Sequence, residues 1–185
     1  MLGQVSWQLL PWRVLWSSPL QVSSNWGAQT FSARIGYGLD GDLNFRDLRL
    51  HLDARVFRTF LPLYLGGVLT ADLRTLSIKG NTVTSVEGFV SLSQAVWTAR
   101  NGHLPLGTYR VVFGARDDSA GALQGIISTQ EGALTVSGEV ELTPDSYRVA
   151  LDATGPAARD ESFLKAMAMV AMPTSNGFKI VLEGH

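Results

Sequence analysis

The chain has 185 residues, enough for one well-buried core, and its 45% hydrophobic and 17% charged content is that of a folded domain rather than a disordered one. Its 15 basic and 16 acidic residues leave a net charge of −1, with no Lys/Arg cluster able to neutralise a run of phosphates, which excludes nucleic acid as a partner. The absence of cysteine excludes disulfides, thiolate metal sites and a Cys nucleophile together.

Alternation of apolar and polar residues runs through most of the chain and predicts strands over 5–16, 20–26, 30–37, 43–52, 68–78, 83–96, 108–115, 123–129, 134–142, 147–153 and 178–183. In the first of these the apolar parity switches. Val5, Trp7 and Leu9 are odd, whereas Trp12, Val14 and Trp16 are even, so a bulge or break is expected at Leu10-Pro11. Trp7, Trp12 and Trp16 make this strand aromatic-rich, as large rings do in a core, an apolar groove or a docking edge. Turns are expected at Leu39-Asp40-Gly41, Lys79-Gly80-Asn81 and Arg116-Asp117-Asp118, where Gly, Asn and Asp cluster. The stretch 53–64 admits a shorter helix near 54–61, around Phe57, Phe60 and Leu61 and closed by Pro62.

The most regular passage runs from Glu131 to Gly155. Leu134, Val136, Val140 and Leu142 share one side, and Thr135, Ser137, Glu139 and Glu141 the other. Thr143-Pro144-Asp145-Ser146 supplies turn chemistry, and Tyr147, Val149 and Leu151 then resume the alternation, so two antiparallel neighbours are expected. The stretch 159–172 follows a different period. Phe163, Met167 and Val170 stand at helical spacing, Asp160 and Glu161 lie near the positive end of the dipole, and Pro173 ends the run. The expected fold is all-β: one domain over 1–185 with about ten mainly antiparallel strands in a strongly curved or folded-over meander sheet, and one C-terminal helix on its apolar face.

Several motifs lose their chemistry in context. Gly36-Tyr37-Gly38-Leu39-Asp40-Gly41 matches the dinucleotide-binding glycine pattern, but the residues after it alternate like a strand where that pattern needs a helix N-terminus. Asp40, Asp42 and Asn44 imitate the start of a calcium loop, yet Phe45 stands where the turn glycine belongs and His51 where a bidentate Glu should sit. His51, His103 and His185 share no metal-ligand spacing, no Gly-x-Ser-x-Gly elbow occurs, and Asp117-Asp118 are adjacent turn residues that point apart. The sequence therefore predicts no catalytic residues, no cofactor and no metal. The longest apolar run, 166–172, is far short of the roughly 18 to 20 residues that span a bilayer. No signal peptide is visible, so a cytosolic protein and one whose targeting segment was removed both remain open.

A family resemblance enters with a series of short matches in order. These are Gly66-Gly67-Val68-Leu69, Val86-Glu87-Gly88-Phe89-Val90 followed by Ala95-Val96-Trp97, and Leu106-Gly107-Thr108-Tyr109-Arg110. Gly121-Ala122-Leu123-Gln124-Gly125, Gly132-Ala133-Leu134-Thr135-Val136-Ser137-Gly138 and Leu142-Thr143-Pro144-Asp145-Ser146-Tyr147 follow. With the early Val5-Ser6-Trp7-Gln8-Leu9-Leu10-Pro11, they resemble protein N of the bacterial type II secretion system. The resemblance implies a periplasmic β-rich domain of an inner-membrane protein, with one short N-terminal anchor that this chain would lack. Its partners would be other components of the machine that exports folded proteins across the outer membrane. The family has no assigned catalytic residues, and none are carried over.

Two functional classes follow. Strands with one apolar and one polar face suit a noncatalytic scaffold or adaptor that meets other proteins through its edges and loops. The same alternation suits a periplasmic carrier that shields lipid along a curved sheet. The two separate on whether the apolar face is sealed, and the residues expected to bear on that are Trp7, Trp12, Trp16, Phe163, Met167 and Val170.

Overall fold

A computed structural model of the protein describes residues 4–9, 20–38, 41–54, 65–99, 102–114, 122–168 and 170–184. Ten strands follow one another as β1 (Gln4–Leu9), β2 (Leu20–Trp26), β3 (Gln29–Tyr37), β4 (Asp42–Asp53), β5 (Leu65–Lys79), β6 (Thr82–Ala99), β7 (Gly102–Phe113), β8 (Leu123–Gly132), β9 (Thr135–Leu142) and β10 (Tyr147–Thr154). A 3-10 turn (Ala157–Arg159), helix α1 (Glu161–Met167) and the hairpin of β11 (Ala171–Thr174) and β12 (Gly177–Gly184) complete the chain. The described strands form one open antiparallel sheet of 12 strands in the order β1 to β10, then β12, then β11. The expected meander is present throughout, broken only where β12 steps in beside β10 and leaves β11 on the edge.

Local chemistry sets these elements. At Lys79-Gly80-Asn81-Thr82 the strands are joined by two residues, and Gly80 has φ +60°, as the first central position of a type II′ turn requires. In the β9–β10 hairpin Val149 opposes Val140 and Ala153 opposes Val136, so the residues expected on one face do share it. Bulges interrupt β3–β4 near Arg34 and β6–β7 near Gln94. The residues with φ 49° and 51° there, Asp47 and Gln94, bend the long strands.

The sheet is folded over. In a flat sheet β6 and β9 would lie three strand spacings apart, about 14 Å. Instead the Thr82 hydroxyl at the start of β6 donates to the Pro144 carbonyl in the β9–β10 turn at 2.9 Å. Val86 of β6 and Leu123 of β8 are buried in one cluster with Ala33, Leu48, Ala71 and Leu73, and Val83 and Leu142 pack against it. The apolar face thus turns inward, and the polar face carries ion pairs such as Arg49–Asp72, Arg74–Glu87 and Lys179–Asp152.

One expectation is corrected. The C-terminal helix spans Glu161–Met167 rather than 159–172. Pro173 disfavours helical backbone at Met172, and Ala171–Thr174 pairs instead with Gly177–Ile180 across a turn. The 12 described strands agree with the expected meander of about ten. The helix expected near 54–61 lies, apart from Ala54, outside the described residues, as do the break at Leu10-Pro11 and the turn at Arg116-Asp117-Asp118.

Candidate functional site

One end of the inward face is filled by the chain itself. Asp160, extended at φ −64° and ψ 122°, caps α1 by accepting the Phe163 N–H at 2.8 Å through its Oδ1. The cap directs Phe163 and Met167 down onto the sheet, where they are 4% and 8% exposed. Phe163 meets Trp97 of β6 edge-on, with ring centroids 5.3 Å apart, and Phe178 of β12 at 5.8 Å. Ala95, Leu106, Leu134, Ala153, Ala157 and Ala158 complete this cluster. α1 therefore spans from the sixth strand to the twelfth and plugs the curl.

Hydrogen bonds fix the plug's rim. Leu134 N–H donates to the Leu106 carbonyl at 2.9 Å, and Ala157 N–H to the Ala133 carbonyl at 3.0 Å. The Tyr109 hydroxyl donates to the Leu134 carbonyl at 3.0 Å. Desolvation pushes the Tyr109 phenol up to about 12 from 10.0, so it remains a donor further into the alkaline range than an exposed tyrosine would.

The opposite end is closed less tightly. Between the β5–β6 and β9–β10 turns a cleft of about 290 Å³ is lined by Lys79, Thr82, Val83, Leu123, Leu142 and Pro144. That volume sits at the bottom of the range of about 300 to 1,000 Å³ that small-molecule pockets occupy.

The residues singled out in the sequence divide by place. Phe163 and Met167 come together in the plug. Val170 does not join them; it follows the helix and is 47% exposed. Trp7 lies on β1 and is 70% exposed, beside Val5 at 54%. Trp12 and Trp16 lie outside the described residues. Trp97 and Phe178, which complete the ring cluster, are not among the candidates the sequence offers, although Trp97 stands two residues after Ala95 and so shares its face of the strand.

Among the described residues no cluster of three or more His, Cys, Asp or Glu could hold a metal ion. His51 and His103 are both exposed on separate strands. Asp42, part of the calcium-like run, lies 4.0 Å from the Lys79 ammonium. No described helix is long and apolar enough to cross a membrane.

A family model described as type II secretion system (T2SS), protein N, matches residues 1–181, nearly the whole chain. No curated protein and no solved structure matches it.

Proposed function

The chain belongs to the protein N family of the type II secretion system, and from that premise we propose that it is a noncatalytic periplasmic scaffold or adaptor, held to the inner membrane by an anchor, that supports export of folded proteins across the outer membrane. The observation that carries the scaffold reading is the ring cluster of Trp97, Phe163 and Phe178, which fills one end of the inward face with the protein's own side chains. A carrier needs that face open to acyl chains. The cleft at the other end is small, and the polar face offers ion pairs and turns suited to protein contacts.

The role is tested in the host. Deleting the gene is expected to reduce exoprotein export or the abundance of other secretion components, with recovery on complementation; unchanged export and unchanged abundance would overturn the supporting role. Native mass spectrometry of protein purified from membranes separates scaffold from carrier. The scaffold is expected to fly without ligand. Stoichiometric lipid, lost on Phe163→Ala without unfolding, would favour the carrier.

A further inference from the structure

In the middle of the outward face three neighbouring strands carry apolar side chains in one row. The register sets Phe89 of β6 opposite Val112 of β7, and Val112 opposite Ile126 of β8. The adjacent Val90 and Phe113 pack against the core, so Phe89 and Val112 point away from it. Val112 and Ile126 are 47% and 58% exposed. Each of these strands is paired on both sides, so the exposure is not that of a sheet edge. The row is flanked by two charges of opposite sign. The Arg110 guanidinium lies over the Phe89 ring, 4.6 Å from its centroid, while its cross-strand neighbours are Ser91 and Ser128 rather than carboxylates. Its Nε is buried with no hydrogen-bond partner. Asp72, on the far side of Phe89, is taken up by Arg49. Beyond Ile126 stands Glu139 of β9, which is exposed. The ion pairs of this face, Arg34–Asp47, Arg49–Asp72, Arg74–Glu87, Arg148–Glu183 and Lys179–Asp152, leave both Arg110 and Glu139 out.

We propose that this patch docks an extended segment of another protein, one that carries a carboxylate, an apolar side chain and a cation at alternate positions. The proposal names a contact surface for the adaptor reading and rests on it. Charge complementarity selects the occupant: the carboxylate meets Arg110, the apolar side chain covers Val112 and Ile126, and the cation meets Glu139. From Arg110 to Glu139 is two strand spacings by two residues, about 12 Å. In an extended segment, positions four apart share one face and lie about 13 Å from each other, with the middle residue of that face between them. The stack on Phe89 holds the guanidinium in place before the partner arrives, so less freedom is lost on docking. An arginine beside exposed apolar side chains also has the make-up of an interface hot spot. A second copy fits less well. The sheet curls around its core, so this face is convex, and two convex faces touch over far less than the roughly 800 Å² a side of a stable complex. An anionic membrane is drawn to clusters of basic residues, whereas here one unpaired arginine stands near an unpaired glutamate.

The test places a photocrosslinking amino acid in the full chain in its host, in place of Ser137, which is exposed two residues from Glu139 and opposite Ser128. A discrete adduct with one other protein is expected, and mass spectrometry should map it to a segment with the alternating carboxylate, apolar and cationic pattern. Arg110→Glu and, separately, Ile126→Ser should each lower the adduct roughly tenfold or more. Ile126→Ser leaves the Phe89 stack untouched and so separates lost docking from lost folding, which circular dichroism checks. The same crosslinker in place of Met172, exposed on β11, should not give the adduct. A synthetic peptide of the crosslinked segment should bind the purified chain, weaken roughly tenfold or more on Arg110→Glu, and recover when its own carboxylate is replaced by lysine. No adduct, an adduct only with a second copy or only with lipid, or a peptide indifferent to Arg110→Glu would overturn the proposal. A patterned partner from outside the secretion machine would uphold the docking surface and overturn the secretion role. Export that depends on the gene without any such adduct would do the reverse.

Discussion

Phe163 on α1 and Trp97 on β6 stand edge-to-face, with centroids 5.3 Å apart and planes inclined by 65°. The two residues are far apart in sequence, and Phe163 also meets Phe178 of β12, a strand five positions from β6 in the sheet order, so the three rings come together only because the sheet curls. The geometry is the one favoured by the ring quadrupoles, which adds about 0.5 to 1.5 kcal/mol to the burial of both rings.

Phe163→Ala is expected to cost about 3 to 5 kcal/mol, the range for deleting a buried ring, as measured by urea unfolding. Val170→Ala, at an exposed site just beyond the helix, should change stability by no more than about 0.5 kcal/mol. Equal effects from the two substitutions would contradict the short helix and its plug.

Asp160→Ala removes the side-chain acceptor that caps the first turn of α1 through its bond to Phe163 N–H. The expected loss is about 0.5 to 2 kcal/mol. Asp160→Asn, which keeps the acceptor, should recover most of it, and unfolding curves of the two variants decide the matter.

Gly107 and Gly132 oppose each other across β7 and β8 with φ of 143° and 133°. A Cβ on Gly107 would stand 2.8 Å from the Gly132 Cα and strike the Glu131 carbonyl, while one on Gly132 would strike the Gly107 Cα and the Leu106 carbonyl. Each Gly→Ala change is expected to cost roughly 1 to 3 kcal/mol or more, from backbone strain alone. Gly114→Ala, with nothing within 4 Å of the added methyl, should be neutral or stabilising by about 0.4 to 1 kcal/mol. Thermal unfolding of the three variants makes the comparison.

Tyr109 carries an alkaline signature. Its folded-state pKa is raised to about 12 from 10.0. Below the unfolded value both states are protonated and the stabilisation is whole; between 10 and 12 the unfolded chain releases its proton first, so stability falls as pH rises through that window. Tyr109→Phe should cost about 1 kcal/mol near neutrality by deleting the bond to the Leu134 carbonyl. It should also flatten the alkaline loss, which urea midpoints from pH 9 to 12 will show.

The sequence by itself determined the strands and their faces. Period-two alternation places Val136, Val140, Val149 and Leu151 on one side whatever the neighbours are, because the pleat fixes side-chain direction within each strand. Short turns such as Gly80-Asn81 then force consecutive strands to be antiparallel neighbours, so the meander order was legible too. The stripe of Phe163 and Met167 announced that the helix covers something apolar. What it covers was not legible. Trp97 and Phe178 alternate like any other apolar strand residue, and no local signal distinguishes a ring facing a helix from one facing solvent. The length of that helix was not legible either, because a helical period persists through Val170 while the competing strand pairing of Ala171–Thr174 becomes visible only once Gly177–Ile180 lies beside it. Tertiary structure alone decided the curl that brings Thr82 to Pro144 and makes one face an interior. Curvature is the sum of small twists and bulges over many strands, and each of them is set by contacts that a linear pattern does not contain.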